Sequence, residues 1–172
     1  MTGAGIRAQA RSGLLTSPTC GLAADYLQAN VVILPEKFAA DFLRFCESNP
    51  KPCPILEVTE PGSWVPRNTA PSADIRTDIP EYRVYRHGIL VEEPAEITHL
   101  WQSDLVTFLL GCSFSFESAM HRAGLPVRHI DEGCNVPMFL TNISCTRAGP
   151  FAGPLVVTMR PLTPWCSRSL RS

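Results

Sequence analysis

The chain has 172 residues, 45% hydrophobic and 18% charged, with a formal net charge of −1. That length supports one domain with a real core. The composition excludes gross disorder and gives no electrostatic reason to expect a nucleic acid or an anionic membrane as partner. Its longest apolar runs, Val31–Leu34 and Leu105–Leu110, are far shorter than a membrane span, and no signal-peptide core opens the chain.

Taken in order, Val31–Leu34 is a short β-branched run that reads as a buried strand. Pro35 then opens a helix in which Phe38, Phe42, Phe45 and Cys46 recur at helical spacing as core, and Asn49-Pro50 stops it. Pro50, Pro52, Pro54, Pro61, Pro66 and Pro71 predict a stiff extended loop around one strand, Ile55–Val58. Arg83–Arg86 and Ile89–Val91 flank His87-Gly88, a hairpin signal.

Ser103 is expected to cap a helix running into Leu110. Gly111 breaks that run, and a second helix over Phe116–Ala123 ends at Gly124, with Pro126 beyond it. Val127–Ile130, Met138–Ile143 and Leu155–Met159 alternate as strands. Intermixed strands and helices with a hairpin point to an α+β (or α/β) single domain, with a mixed β-sheet and flanking helices.

Seven cysteines, scattered and without a Cys-x-x-Cys pair, read as reduced thiols, mostly buried. The four histidines have no spacing that sets two ligands on one helix face, so no metal is expected. The segment Gly111-Cys-Ser-Phe-Ser-Phe-Glu117 offers more. Ser113 or Ser115 near a helix start would leave free N–H groups for a small anion such as a substrate carboxylate, with Glu117 as an acid or base. Alternatively, the serines bond back to the backbone of a kinked core helix and Glu117 is a solvated first-turn residue. Cys112 is a candidate nucleophile or a small buried thiol.

Asp74-x-Arg76-x-Asp78 places an arginine between two carboxylates. Arg76 could grip a substrate carboxylate while Asp78 moves a proton, or the three could form a structural ion-pair network. Thr141 and Asn142 offer short polar donors at a strand end, and Arg128 and Arg160 add positive charge that salt bridges would also explain. His129, a lone histidine, reads as structural.

Several blocks occur in a fixed order. They are Leu27–Asn30 into Val31–Pro35, Asn49–Pro54, Ala73–Asp78 with Pro80–Arg86, Gly111–Glu117, Pro126–His129, Asn135–Met138 with Thr141-Asn142, and Gly153-Pro154 with Met159–Pro161. This set resembles the bacterial hydro-lyase family that also supplies the catalytic part of mitochondrial D-glutamate cyclases.

The resemblance implies an enzyme that interconverts D-glutamate with 5-oxo-D-proline and water, without metal or organic cofactor. Its partner is a small carboxylate or amino-acid substrate. Asp78 and Glu117 are then the catalytic candidates; Arg76, Ser113, Ser115 and Asn142 are the substrate-binding ones. The family pattern continues past Pro161, so residues 1–162 are expected to be the N-terminal two-thirds of the domain, incomplete at the C-terminus. The Ser/Arg-rich tail 163–172 looks off-pattern. An inactive truncated isoform and a non-enzymatic carboxylate-binding module are the alternative functions. Arg7, Arg11 and the acid-free start to Asp25 have presequence composition, yet Arg11–Leu22 lies within the resembling region. A cytoplasmic location is therefore expected, with the mitochondrial matrix as the alternative.

Overall fold

The computed structural model describes residues 1–162. The tail 163–172 lies outside the described residues. The centre of the fold is an antiparallel three-stranded sheet of order β1–β5–β2, with β1 at Ala29–Pro35, β2 at Ile55–Val58 and β5 at Leu105–Gly111. β1 runs the full length of β5, from Ala29 opposite Gly111 to Pro35 opposite Leu105. Strand β5 contradicts the helix expected at Leu105–Leu110, and Ser103 caps nothing there. The physical reason is burial on both sides. Val106, Phe108 and Leu110 face one way, Thr107 and Leu109 the other, and all five are buried. A strand covered on both faces shows no alternation, so its apolar run looks like a buried helix.

Helix α2 (Glu36–Ser48) starts directly after Pro35, as expected, and packs across the sheet. Its Phe42 meets Phe108 edge-to-face with centroids 4.9 Å apart, and Cys46, Leu34, Val106 and Leu110 complete this core. Phe38, counted as core from its spacing, is exposed, whereas Phe45 packs against the cluster.

Helix α1 (Gly3–Arg11), which the sequence reading did not assign, buries Ile6 and Ala10. The hairpin of β3 (Val84–Arg86) and β4 (Ile89–Glu92) turns on His87 and Gly88, at φ 51 and 79. Both turn residues have positive φ, the requirement of a tight primed turn. After β5 come a 3-10 turn at Ser113–Phe116 and two short helices, α3 (Glu117–Arg122) and α4 (Arg128–Asp131). Gly124, at φ 71, ends the α3 segment as expected. Helix α4 stands where the strand Val127–Ile130 was expected; its single turn is too short to print a helical period.

The last pair is β6 (Met138–Ser144) with β7 (Pro154–Thr158), antiparallel. The class is α+β, as the sequence indicates. Every strand pairing among the described residues is antiparallel, so the mixed sheet resolves into three separate antiparallel units. No helix among the described residues is long and apolar enough to cross a membrane.

Candidate functional site

The end of β5 sets the site. Gly111 donates its N–H to Pro54 O at 2.8 Å, and a Cβ at Gly111 would stand 3.2 Å from Pro54 Cγ. That close approach suits a glycine. The chain then turns through Cys112, whose N–H donates to Gln28 O at 3.0 Å. Ser115 Oγ accepts from Gln28 N at 2.8 Å, and Thr19 donates to Gln28 Oε1 at 2.6 Å. Neither serine caps the helix that follows; the residue before the 3-10 turn, Cys112, makes no side-chain cap. Ser115 instead ties the turn to the entry of β1.

Glu117, the first residue of α3, is 2% exposed. Its Oε1 accepts from Arg160 Nε at 2.8 Å and from Arg160 Nη2 in a shorter contact. The same Nη2 donates to Ser113 Oγ at 3.0 Å, Nη1 donates to Thr158 Oγ1 at 2.9 Å, and the guanidinium lies over the Phe116 ring. Thus β7 and the segment after it carry the counter-charge for the turn. A buried carboxylate requires such a partner, because desolvation of an unpaired charge is prohibitive. On the other oxygen, Cys20 Sγ donates to Oε2 at 3.3 Å. Burial, then the hydrogen bond to Glu117, pushes the Cys20 thiol up to about 12, so it is a protonated donor. The buried His129, on α4, brings Nε2 within 3.0 Å of Glu117 Oε1 without hydrogen-bond alignment, and that nitrogen has no hydrogen-bond partner among the described residues.

Asp78 belongs to a second cluster. Arg11 of α1 grips it with two bonds, Nε to Oδ1 at 2.8 Å and Nη2 to Oδ2 at 2.7 Å. Asp78 also accepts from the Thr77 hydroxyl and from the Asp74 N–H, with Arg7 Nε 3.8 Å away. Arg76 forks onto Asp74 at 2.9 and 2.7 Å and stacks over Trp64 at 4.1 Å. The Arg76 hydrogen bond holds the Asp74 carboxyl below the usual carboxylate range. Among the described residues no hydrogen bond or ion pair joins this cluster to Glu117.

An open cleft of about 1200 Å³ borders the Asp78 cluster and runs past chain neighbours of the Glu117 centre. Asp78 and Arg7 line it, together with Thr19, Gln28 and Cys112. Arg76 and Glu117 do not line it, but Thr19 and Cys112 are the chain neighbours of Cys20 and Ser113. Asn142 is on β6 and lines a separate pocket of about 380 Å³ with Thr141, Ser144 and Arg147. Arg128 is spent on an exposed pair with Glu132.

Sequence reasoning thus placed Glu117 and Ser113 in one centre. It gave Arg160 and His129 structural explanations and assigned Cys20 no role. These partners lie 43, 12 and 97 positions from Glu117, and no local spacing marks them.

Fold and site together define the class: an α+β domain whose open cleft abuts a buried carboxylate–guanidinium–imidazole–thiol centre. The family model described as D-glutamate cyclase matches residues 106–171, the stretch that contains the turn, Glu117, His129 and Arg160. A protein of Rubrobacter xylanophilus named "Putative hydro-lyase" is 62% identical over 158 residues, 92% of this chain and 61% of that relative. Relatives named in the same way from Geobacillus kaustophilus and Bordetella pertussis are 58% and 59% identical, over 91% and 94% of this chain and 59% of each relative. The chain belongs to this hydro-lyase family, the family of the D-glutamate cyclase model. It spans about three-fifths of the length of the curated relatives it matches.

Proposed function

We propose that the chain serves the interconversion of D-glutamate with 5-oxo-D-proline and water, with the Glu117 centre as the place where the γ-carboxyl group reacts. In ring closure the amine nitrogen bonds to the γ-carboxyl carbon and one carboxyl oxygen leaves. The ammonium gives up two protons, and that oxygen departs with them as water. The reaction needs a grip on the α-carboxylate, a proton acceptor and donor, and stabilisation of a tetrahedral oxyanion.

The observation that carries the reading is the buried Glu117, clamped by Arg160, which in turn donates to Ser113, next in the chain to residues that line a cleft large enough for such a substrate. Arg160 supplies fixed positive charge in a water-poor setting, where it acts most strongly on a developing oxyanion. Ser113 accepts from Arg160 at 3.0 Å, and its hydroxyl also pairs with Thr158 Oγ1 at 3.4 Å. The fork of Arg76 is taken by Asp74, so the α-carboxylate grip passes to Arg7, which lines the cleft. Asp78 orders α1 and thereby the cleft wall.

The test is to incubate 5-oxo-D-proline with this chain and with the whole-length Rubrobacter relative, following D-glutamate by chiral chromatography. Replacing the relative's residue aligned with Glu117 by Gln should lower turnover by about 100-fold or more. Undiminished turnover in that variant, or none in the intact relative, would overturn the reading.

A further inference from the structure

We propose that Cys20, Glu117 and His129 bind one divalent transition-metal ion of the zinc and cobalt class. This goes beyond the proposed reaction and is decided by metal binding, not by turnover.

The first observation is geometric. One Cys20 sulfur, one Glu117 carboxylate oxygen and one His129 ring nitrogen all lie within 4.8 Å of one another. Cys20 Sγ is 3.3 Å from Oε2, and His129 Nε2 is 3.0 Å from Oε1. Ligands held at ~2.0–2.3 Å in a tetrahedron stand roughly 3.2–3.8 Å apart, so small side-chain adjustments bring the three donors to that spacing. The second observation is independent. His129 Nε2 is buried and has no hydrogen-bond partner among the described residues. Buried polar atoms are nearly always satisfied, and an orphan facing a carboxylate and a thiol calls for an explanation. A cation between the three supplies one.

The donor set selects the ion. A thiolate and an imidazole favour zinc-like ions over magnesium or calcium, which take oxygen ligands. Arg160 does not exclude the ion, because it engages Oε1 and leaves Oε2 on the Cys20 side. Carboxylates that ligate a metal are commonly hydrogen-bonded in turn, as Glu117 is by Arg160. Three protein donors leave a further position for solvent or substrate, the arrangement of reactive rather than purely structural zinc sites.

Charge fits as well. On binding, the Cys20 proton leaves, and ion, thiolate, carboxylate and Arg160 guanidinium together carry one net positive charge, which favours an anionic substrate.

The experiment titrates cobalt into the chelator-treated full chain and reads the absorption spectrum, with zinc as competitor. The expected result is one equivalent of cobalt with a sulfur-to-cobalt charge-transfer band that zinc abolishes. Cys20→Ser should remove the band, and His129→Gln should weaken binding by about 100-fold or more. Cys53→Ser is the control, because Cys53 lies with Cys46 and Cys145 in a different group of thiols. Circular dichroism of the metal-free variants separates lost ligands from lost folding. Should His129→Gln fail to fold, Cys20→Ser alone decides. No cobalt uptake by the folded chain, an unchanged band in Cys20→Ser, or a band lost in Cys53→Ser instead overturns the proposal.

Discussion

Asp78→Asn separates a structural from a chemical role for the Asp74–Asp78 segment. Asp78 is almost fully buried, and its two oxygens receive two Arg11 bonds at 2.8 and 2.7 Å, the Thr77 hydroxyl and the Asp74 N–H. An asparagine keeps one acceptor but turns an NH2 group toward a guanidinium, so one charge-assisted bond becomes a donor–donor contact. Hydrogen bonds to charged groups contribute about 1.5–3 kcal/mol each. The Arg11 side chain is 52% exposed, however, and re-solvates when released, which pulls the figure toward that of surface pairs. The net loss should be about 1–2 kcal/mol. With an m-value of roughly 2 kcal/mol/M, the urea midpoint of the full chain should fall by about 0.5–1 M. An Arg11→Gln partner completes a double-mutant cycle, with an expected coupling of about 0.5–2 kcal/mol. An unchanged midpoint with no coupling would refute this reasoning. If turnover were lost as well, Asp78 would return to the chemistry that its sequence context suggests.

Two further outcomes test the packing and the electrostatics. Phe108→Ala removes a ring that is 0% exposed and packed edge-to-face on Phe42, so thermal or urea unfolding should show a loss of about 3–5 kcal/mol; a loss below 1 kcal/mol would deny β5 its central place. Burial pushes the Glu57 carboxyl up, but hydrogen bonds from Thr69 and Asn68 outweigh it and hold the carboxyl below its ordinary value near 4.5. A depressed carboxylate contributes stability that is present above the unfolded value and lost as pH falls through the folded one. The difference in urea midpoint between wild type and Glu57→Gln should therefore be constant at neutral pH and shrink below about 4.5; a difference that grows on acidification would reverse the sign.

Legibility in the sequence followed the range of the forces involved. Strand β2, the His87-Gly88 hairpin, α2, β6 and β7 were readable because turn residues, proline and alternation act locally. Strand β5 was not, because burial on both faces erases the alternation that separates a strand from a buried helix. Glu117 stood out from its Gly-Cys-Ser-Phe-Ser-Phe context. Its partners did not, since Cys20, His129 and Arg160 meet it only through the fold. The same limit applies to the metal expectation. Two histidines on one helix face are a local pattern, whereas the proposed donors come from a loop, α3 and α4. The spacing of Asp74, Arg76 and Asp78 marks a charged group, but it does not show the main partner of Asp78, Arg11, 67 positions away.

The turn at 111–117 also shows why a correction in secondary structure changes the electrostatic argument. Had the chain passed from one helix into another, the positive field at this site would have come from a helix N-terminus with serines as caps. A six-residue α3 offers at most a fraction of a unit charge, and that effect fades within a turn. Arg160 instead brings a whole charge, 8% exposed, directly onto Glu117 and Ser113. Coulomb energy scales with charge and inversely with effective dielectric, so a buried guanidinium in contact exceeds a short helix dipole several-fold. The serines then act as rivets: Ser115 holds Gln28 of the β1 entry, and Ser113 holds Arg160 beyond β7. Both rivets fix the position of Glu117 relative to the cleft. The positive charge at this turn is thus carried by Arg160, a side chain from the far end of the described fold, and not by a helix terminus.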